Sequence, residues 1–184
     1  MRDKKIILII LFFVLSAITY GKGFIGINGN LFFPSDSDYN DIYGSSVINP
    51  EIEIMQKVSN KLFVFGSYGY MSKTGNTLGD LEVDTKSTRN ILSVGAGYGI
   101  MINENADIII KLGMSRIGYK EEAMGESVSG NKFGILFGTD LLYKIGNRFF
   151  TKLTIGYMSG RDNIDGVDIK LGGFKAGVGL GIRF

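Results

Sequence analysis

Gly173-Phe174-Lys175-Ala176-Gly177-Val178-Gly179-Leu180-Gly181-Ile182-Arg183-Phe184 ends the chain, and it alternates without a break. Phe174, Ala176, Val178, Leu180, Ile182 and Phe184 fall on one parity; Gly173, Lys175, Gly177, Gly179, Gly181 and Arg183 fall on the other. Successive side chains of a strand point to opposite faces, so this is a strand with one apolar face and one small or charged face. Such a strand suits a wall between lipid and a polar interior. Glycines at period 2 inside strands, here and in Gly95-x-Gly97-x-Gly99, are not a dinucleotide loop, which needs its glycines in a turn opening a helix. They are read as room left on the inner face for long side chains opposite.

Working backwards, seven more segments alternate in the same way, and none after residue 21 reads as a helix. Residues 88–102 set Leu92, Val94, Ala96, Tyr98, Ile100 and Ile102 against Arg89, Ser93, Gly95, Gly97 and Gly99. Residues 106–119 set Ile108, Ile110, Leu112 and Met114 against Asp107, Lys111, Gly113 and Ser115. Residues 23–33, 47–57, 132–144 and 148–158 follow suit, with Asn28 and Asn30, Glu51 and Glu53, Asp140, and Lys152 on their polar faces. The segment 61–71 is apolar on both parities (Leu62, Val64, Tyr68, Tyr70 against Phe63, Phe65, Ser67, Gly69), and its facing stays open.

The connections alternate in length. Val58-Ser59-Asn60, Asn103-Glu104-Asn105 and Ile145-Gly146-Asn147 read as tight turns in which Asn and Gly supply positive φ. Residues 34–46, 72–87, 120–131 and 159–169 are long, polar, and rich in Asp, Ser, Gly and Asn. Eight strands with short turns at one end and long loops at the other predict an all-β, eight-stranded antiparallel up-and-down transmembrane β-barrel. The short ends would be periplasmic and the long ones external, with both mature termini in the periplasm. On the lipid-facing parity, Phe33, Tyr70, Phe133, Tyr157 and Phe174 fall toward the long-loop end and Tyr143, Phe149 and Phe184 toward the other, as interfacial girdles do.

At the other end of the chain, Arg2, Lys4 and Lys5 precede the apolar run Ile6 to Ile18, and Thr19-Tyr20-Gly21 offers small residues before Lys22. This is a cleavable signal peptide over residues 1–21, leaving a mature barrel at 22–184. A permanent membrane helix would need about 20 apolar residues. Of the 20 cations and 18 anions, three and one lie in residues 1–21, leaving 17 of each sign beyond them and no basic surplus for nucleic acid.

The chain of 184 residues has neither cysteine nor histidine, which removes disulfides, thiolate metal sites and the commonest general base and metal ligand. No catalytic residue, metal site or cofactor is expected. Asp36, Asp38 and Asp41, or Asp162, Asp165 and Asp168, could be cation ligands, but their spacing fits no EF-hand and they read as solvated loop charge. A soluble lipocalin-like barrel is the rival fold; it would put its apolar faces inward and its charges outward.

The terminal run Gly177 to Phe184 and the eight-segment pattern resemble the small outer-membrane barrels of the OmpX type, the OmpA transmembrane domain and the opacity-like surface proteins. The resemblance implies a monomeric cell outer-membrane protein without catalysis. Its role would be in envelope integrity, adhesion or host contact, through four surface loops and extracellular ligands. It implies outer-membrane lipid and the barrel-assembly machinery as partners, with Phe184 as the terminal assembly aromatic. A narrow porin or channel for small solutes is the alternative. Counted from the short-turn end, Glu51, Glu53, Asp140, Lys111 and Lys152, with Lys175 somewhat higher, fall near one level of the interior. These charges are expected to form a network that closes the barrel to ions.

Overall fold

The computed structural model of the chain describes residues 22–76, 83–164 and 166–184. The export segment expected at residues 1–21 lies outside them. The elements in chain order are β1 (Gly23–Pro34), α1 (Ser37–Tyr43), β2 (Val47–Lys57), β3 (Leu62–Asn76), β4 (Asp84–Met101), β5 (Ala106–Ala123), β6 (Glu126–Ile145), β7 (Phe149–Met158), β8 (Arg161–Ile164), β9 (Val167–Lys170) and β10 (Gly173–Arg183).

Eight of the strands close a barrel in the order β1-β10-β7-β6-β5-β4-β3-β2, every pair antiparallel. The seam joins β1 to β10, the first and last strands. Phe24 pairs with Arg183 and Phe33 with Phe174, while Gly23 and Phe184 exchange backbone hydrogen bonds of 2.8 and 3.0 Å.

The alternation read from the sequence becomes inside and outside. On β10, Val178 and Leu180 are 60% and 62% exposed, whereas Lys175 is buried. Ile27, Ile52, Val94, Leu112, Ile135 and Leu153 are also exposed on outward parities, and Glu51, Glu53, Lys111, Asp140 and Lys152 are buried inside. An apolar exterior around a charged interior is the reverse of a lipocalin, and it excludes that rival.

The open facing of β3 resolves with Phe63, Phe65, Ser67 and Met71 inward and Leu62, Val64, Tyr68 and Tyr70 outward. Glycine on the neighbouring strands permits this. A Cβ at Gly95 would stand 2.8 Å from the Phe65 ring, so that inner position must be bare for the ring to lie across the wall.

Three local expectations are corrected. A helix exists: Asp36 caps it by accepting a 3.0 Å hydrogen bond from the Tyr39 N–H, and Gly44 ends it at φ +83°. Its seven residues are too few to show a helical period. Of the three tight turns, only Gly146 has positive φ (+60°). The asparagines act through side chains instead, as when Asn103 Oδ1 accepts from Asn105 N–H at 2.9 Å.

Three of the four long polar stretches, all but 34–46, are also largely strand among the described residues. β3 runs to Asn76, β4 begins at Asp84, and β5 and β6 meet at a two-residue turn, Met124 (φ +54°) and Gly125 (φ +82°), of the primed hairpin kind. The fourth stretch carries the small hairpin of β8 and β9, which reaches Lys170, one residue past the expected loop, and is a two-stranded sheet outside the barrel order. Above the membrane belt neither face of a strand need be apolar, so the period that reveals a strand fades there.

Candidate functional site

The interior is filled in three levels. At the short-turn end lies an aromatic floor. Phe24 meets Phe150 edge-on at 5.6 Å and Phe63 at 6.1 Å between ring centroids, with buried Met55 and Leu142 beside them. The floor and the charges above it enclose a cavity of ≈ 10 Å³, room for about one water.

Above the floor stand the charges. Lys111 Nζ lies 2.8 Å from Glu53 Oε2 and 2.7 Å from Asp140 Oδ2. Lys152 Nζ lies 2.7 Å from Glu53 Oε1 and 3.4 Å from Asp140 Oδ2. Two acids and two lysines from β2, β5, β6 and β7 thus alternate in a closed ring of four pairs with no net charge. Each lysine stands between both carboxylates, and the Thr154 hydroxyl donates to Asp140 Oδ1 at 2.5 Å. Lys111 also lies 5.3 Å from the centroid of the Phe65 ring.

Glu51 and Lys175, the remaining sequence candidates, form a separate pair at 2.6 Å, with the Asn28 amide donating to Glu51 at 3.2 Å. The six charges therefore meet in two groups rather than one network, because Glu51 and Glu53 are consecutive inward residues of β2, about 6.6 Å apart along the strand. All six are 0–7% exposed. At that burial an unpaired charge would be costly, and the reciprocal pairing offsets the desolvation.

The upper level is apolar and was not legible in the sequence. Phe32, Val47, Met71, Ile91, Ile117, Leu136, Met158 and Leu171 are buried together. Over them sit Tyr39 and Tyr43 of α1, whose rings are tilted by 38° with centroids 4.6 Å apart. Buried Arg89 ties this cap together. Its guanidinium lies 4.2 Å from the Tyr39 centroid and donates to the Leu171 carbonyl at 3.2 Å. Asp36 accepts at 2.7 Å from Lys170 N–H while capping α1, so one carboxylate fastens the first connection to the last.

The Tyr43 hydroxyl donates to Glu121 at 2.8 Å, and burial, together with that carboxylate, pushes its pKa up to about 12. Asp162 accepts from Tyr119 at 2.6 Å and pairs with Lys132 at 2.8 Å. The hydrogen bonds from Lys132 and Tyr119 hold its carboxyl below the ordinary range. Asp36 and Asp162 are thus structural acceptors, not the solvated charges expected, while Asp38, Asp41 and Asp168 are exposed and Asp165 lies outside the described residues. Among the described residues no group of three or more His, Cys, Asp or Glu is placed to hold a metal.

Outside, the girdle aromatics occupy adjacent register positions. Phe33 pairs with Phe174 (centroids 6.1 Å apart), Phe174 with Tyr157, and Tyr157 with Phe137. At the opposite end the half-buried Phe184 ring packs over Gly23, 2.6 Å from where a Cβ would stand there.

A closed eight-stranded barrel with an apolar belt, aromatic rings on that belt and charges turned inward defines a small transmembrane β-barrel of the bacterial outer-membrane type. No protein-family profile and no curated protein sequence matches the chain. Solved structures do, small outer-membrane barrels among them. The outer membrane protein OprG of Pseudomonas aeruginosa superposes with a TM-score of 0.68 at 14% identity, over 89% of this chain and 96% of that one. Neisserial surface protein A gives 0.65 at 13%, over 90% and 100%. Ail, the attachment invasion locus protein of Yersinia pestis, gives 0.59 at 18%, over 89% and 99%, and has also been solved with the heparin analogue sucrose octasulfate.

Proposed function

We propose that this protein is a surface-interaction protein of the outer membrane, exported by residues 1–21, whose barrel is a sealed pedestal for the structure at its long-loop end. The observation that carries this reading is the difference between the two ends. The lumen is filled by rings, ion pairs and apolar side chains, while β3 to β6 continue as a four-stranded sheet past the end of β7. The β6–β7 ladder stops at Leu136↔Met158, yet β6 begins at Glu126. Its second edge from Glu126 to Asn131 has no strand partner among the described residues, a length of about 20 Å, while Lys132 and Gly134 below it lie against Asp162 and Ser159. An unpaired edge of this kind can accept an added strand of another protein.

In this reading Glu53, Asp140, Lys111 and Lys152, with Glu51 and Lys175 above them, bar ions from the lumen. Both termini face the periplasm, and Phe184 is the aromatic that the barrel-assembly machinery engages. The protein works as a monomer without a cofactor and carries out no catalysis. The complex of Ail with a heparin analogue supports sulfated host glycans as one class of ligand to try.

The test shortens the sheet and leaves the barrel. Lys120 pairs with Ser129, so replacing residues 121–128 by Asn-Gly closes the β5–β6 hairpin three register pairs earlier. Cells displaying the shortened protein should keep the folded barrel and lose adherence to immobilised host cells or heparin. Adherence equal to wild type would refute the role of the sheet, and ion conductance by the wild type would favour a channel.

A further inference from the structure

We infer that the outward face of β4–β6 at the long-loop end binds the phosphate group of an outer-leaflet lipid, over Gly118 and between Arg116 and Lys120. The inference rests on the membrane-spanning reading, and begins from the outward parity of β5. Ile110, Leu112 and Met114 face the membrane, Met114 at 60% exposure. The next three outward residues are Arg116, Gly118 and Lys120. The belt therefore turns cationic within one step, on the same face.

Arg116 is paired in register with Leu92 on one side and with Phe133 on the other, and Phe133 is 69% exposed. The guanidinium is consequently rooted at the girdle level. Among the described residues no carboxylate lies within ion-pair distance of it. An arginine so placed extends its head toward the headgroup layer, where the planar guanidinium fork meets phosphate oxygens as complementary acceptors.

The position two residues above completes a cradle. Gly118 has no side chain, and its register partners are Asn90 on β4 and Asn131 on β6, each about 4.8 Å away. Asn131 leans over it: a Cβ at 118 would stand 3.0 Å from Asn131 Oδ1. Asn90 Oδ1 accepts the Tyr68 hydroxyl at 2.9 Å, which leaves the Asn90 amide N–H groups as exposed donors. Lys120 forms the upper wall, about 13 Å from Arg116 along the strand, and both side chains are long enough to converge over the glycine between them. Lys120 is shared with Glu122, and Lys86 is the register partner of Glu122. Three cations thus face two carboxylates, Glu122 and Asp84, both at the upper end of the patch beside Lys86, and Arg116 at the lower wall pairs with neither, so the balance favours an anion. A lipid phosphate is favoured over a soluble one because the cradle lies on the lipid-facing parity, directly above the belt.

The experiment uses the full mature barrel, folded in detergent, and a hexaacylated lipid A with or without its phosphates, read by native mass spectrometry. Wild type should retain the phosphorylated lipid about tenfold better than the dephosphorylated one, the loss of one or two charge-assisted hydrogen bonds accounting for that ratio. Arg116→Gln with Lys120→Gln should abolish the preference, Arg116→Lys should keep most of it, and millimolar inorganic phosphate should not displace the lipid. Equal retention of both lipids by wild type, an undiminished preference in the double variant, or displacement by inorganic phosphate would overturn the site. The single Arg116→Gln variant serves if the double does not fold. Retained heat-modifiable mobility in each variant reports the barrel separately, so loss of the site and failure of the barrel reading are told apart.

Discussion

Removing Lys111 should unbalance the interior more than its single charge suggests. The ammonium is 2% exposed and lies 2.8 Å from Glu53 and 2.7 Å from Asp140, so Lys111→Met leaves Lys152 alone between two carboxylates. The ring changes from neutral to one negative charge in a volume with room for about one water. Breaking a buried pair by deleting one partner costs about 3 to 5 kcal/mol. With a urea dependence near 2 kcal/mol per molar for a protein of this size, the unfolding midpoint should fall by roughly 2 M.

Removing the charges in pairs should cost less, because a well-packed apolar substitute for a whole ion pair is often neutral or better. Lys111→Met with Asp140→Leu should therefore sit closer to wild type than Lys111→Met alone. The assay is urea unfolding in detergent micelles, scored by the heat-sensitive gel shift of the folded barrel. A single-variant loss below about 1 kcal/mol, simply adding to that of Asp140→Leu, would mean that the charges are hydrated and independent, and the argument would fail.

Three other outcomes are expected. Deleting Phe184, which packs over Gly23 at the seam and closes it with two backbone hydrogen bonds, should lower the amount of inserted barrel in cells, measured by heat-modifiable mobility; undiminished insertion would remove its assembly role. Protease added to intact cells should cut within long loops such as 72–87 and spare Asn103 to Asn105, and the reverse pattern would invert the orientation. Gly95→Val should destabilise by at least about 2 kcal/mol, since its Cβ would meet the Leu112 carbonyl, Gly113 and the Phe65 ring; an unchanged unfolding midpoint would show that the wall can yield there.

What could be read without the structure follows the membrane. Wherever a strand crosses the apolar belt, its two faces meet unlike surroundings, and Val178 against Lys175 or Leu112 against Lys111 records the difference at period 2. Strand existence, facing and the six interior charges were legible for that reason. β3 was ambiguous because its interior partners are glycines, which turn Phe63 and Phe65 inward and erase the contrast. Past the belt both faces meet water, so the extensions of β5 and β6 to a turn at Met124-Gly125 left no apolar period, and α1 was too short to leave one.

The cap was illegible for another reason. Arg89 reads as one more polar residue of an inner face, and Asp36 as loop charge. Only the fold brings Arg89 against Tyr39 and Leu171, or Asp36 against Lys170, which is 134 positions away. The division of the interior charges into a ring of four and a separate pair likewise depended on the shear of the closed barrel, which strand-by-strand counting does not supply.

Single-channel recording in a planar bilayer bears most directly on the central claim, that the barrel is sealed and works by its surface. Purified wild-type protein should give no steady ion conductance, because an aromatic floor, the Glu53–Lys111–Asp140–Lys152 ring and the capped apolar level stand in series. Steady conductance by the wild type, unchanged in Lys111→Ala and Lys152→Ala, would contradict the account and make the protein a pore.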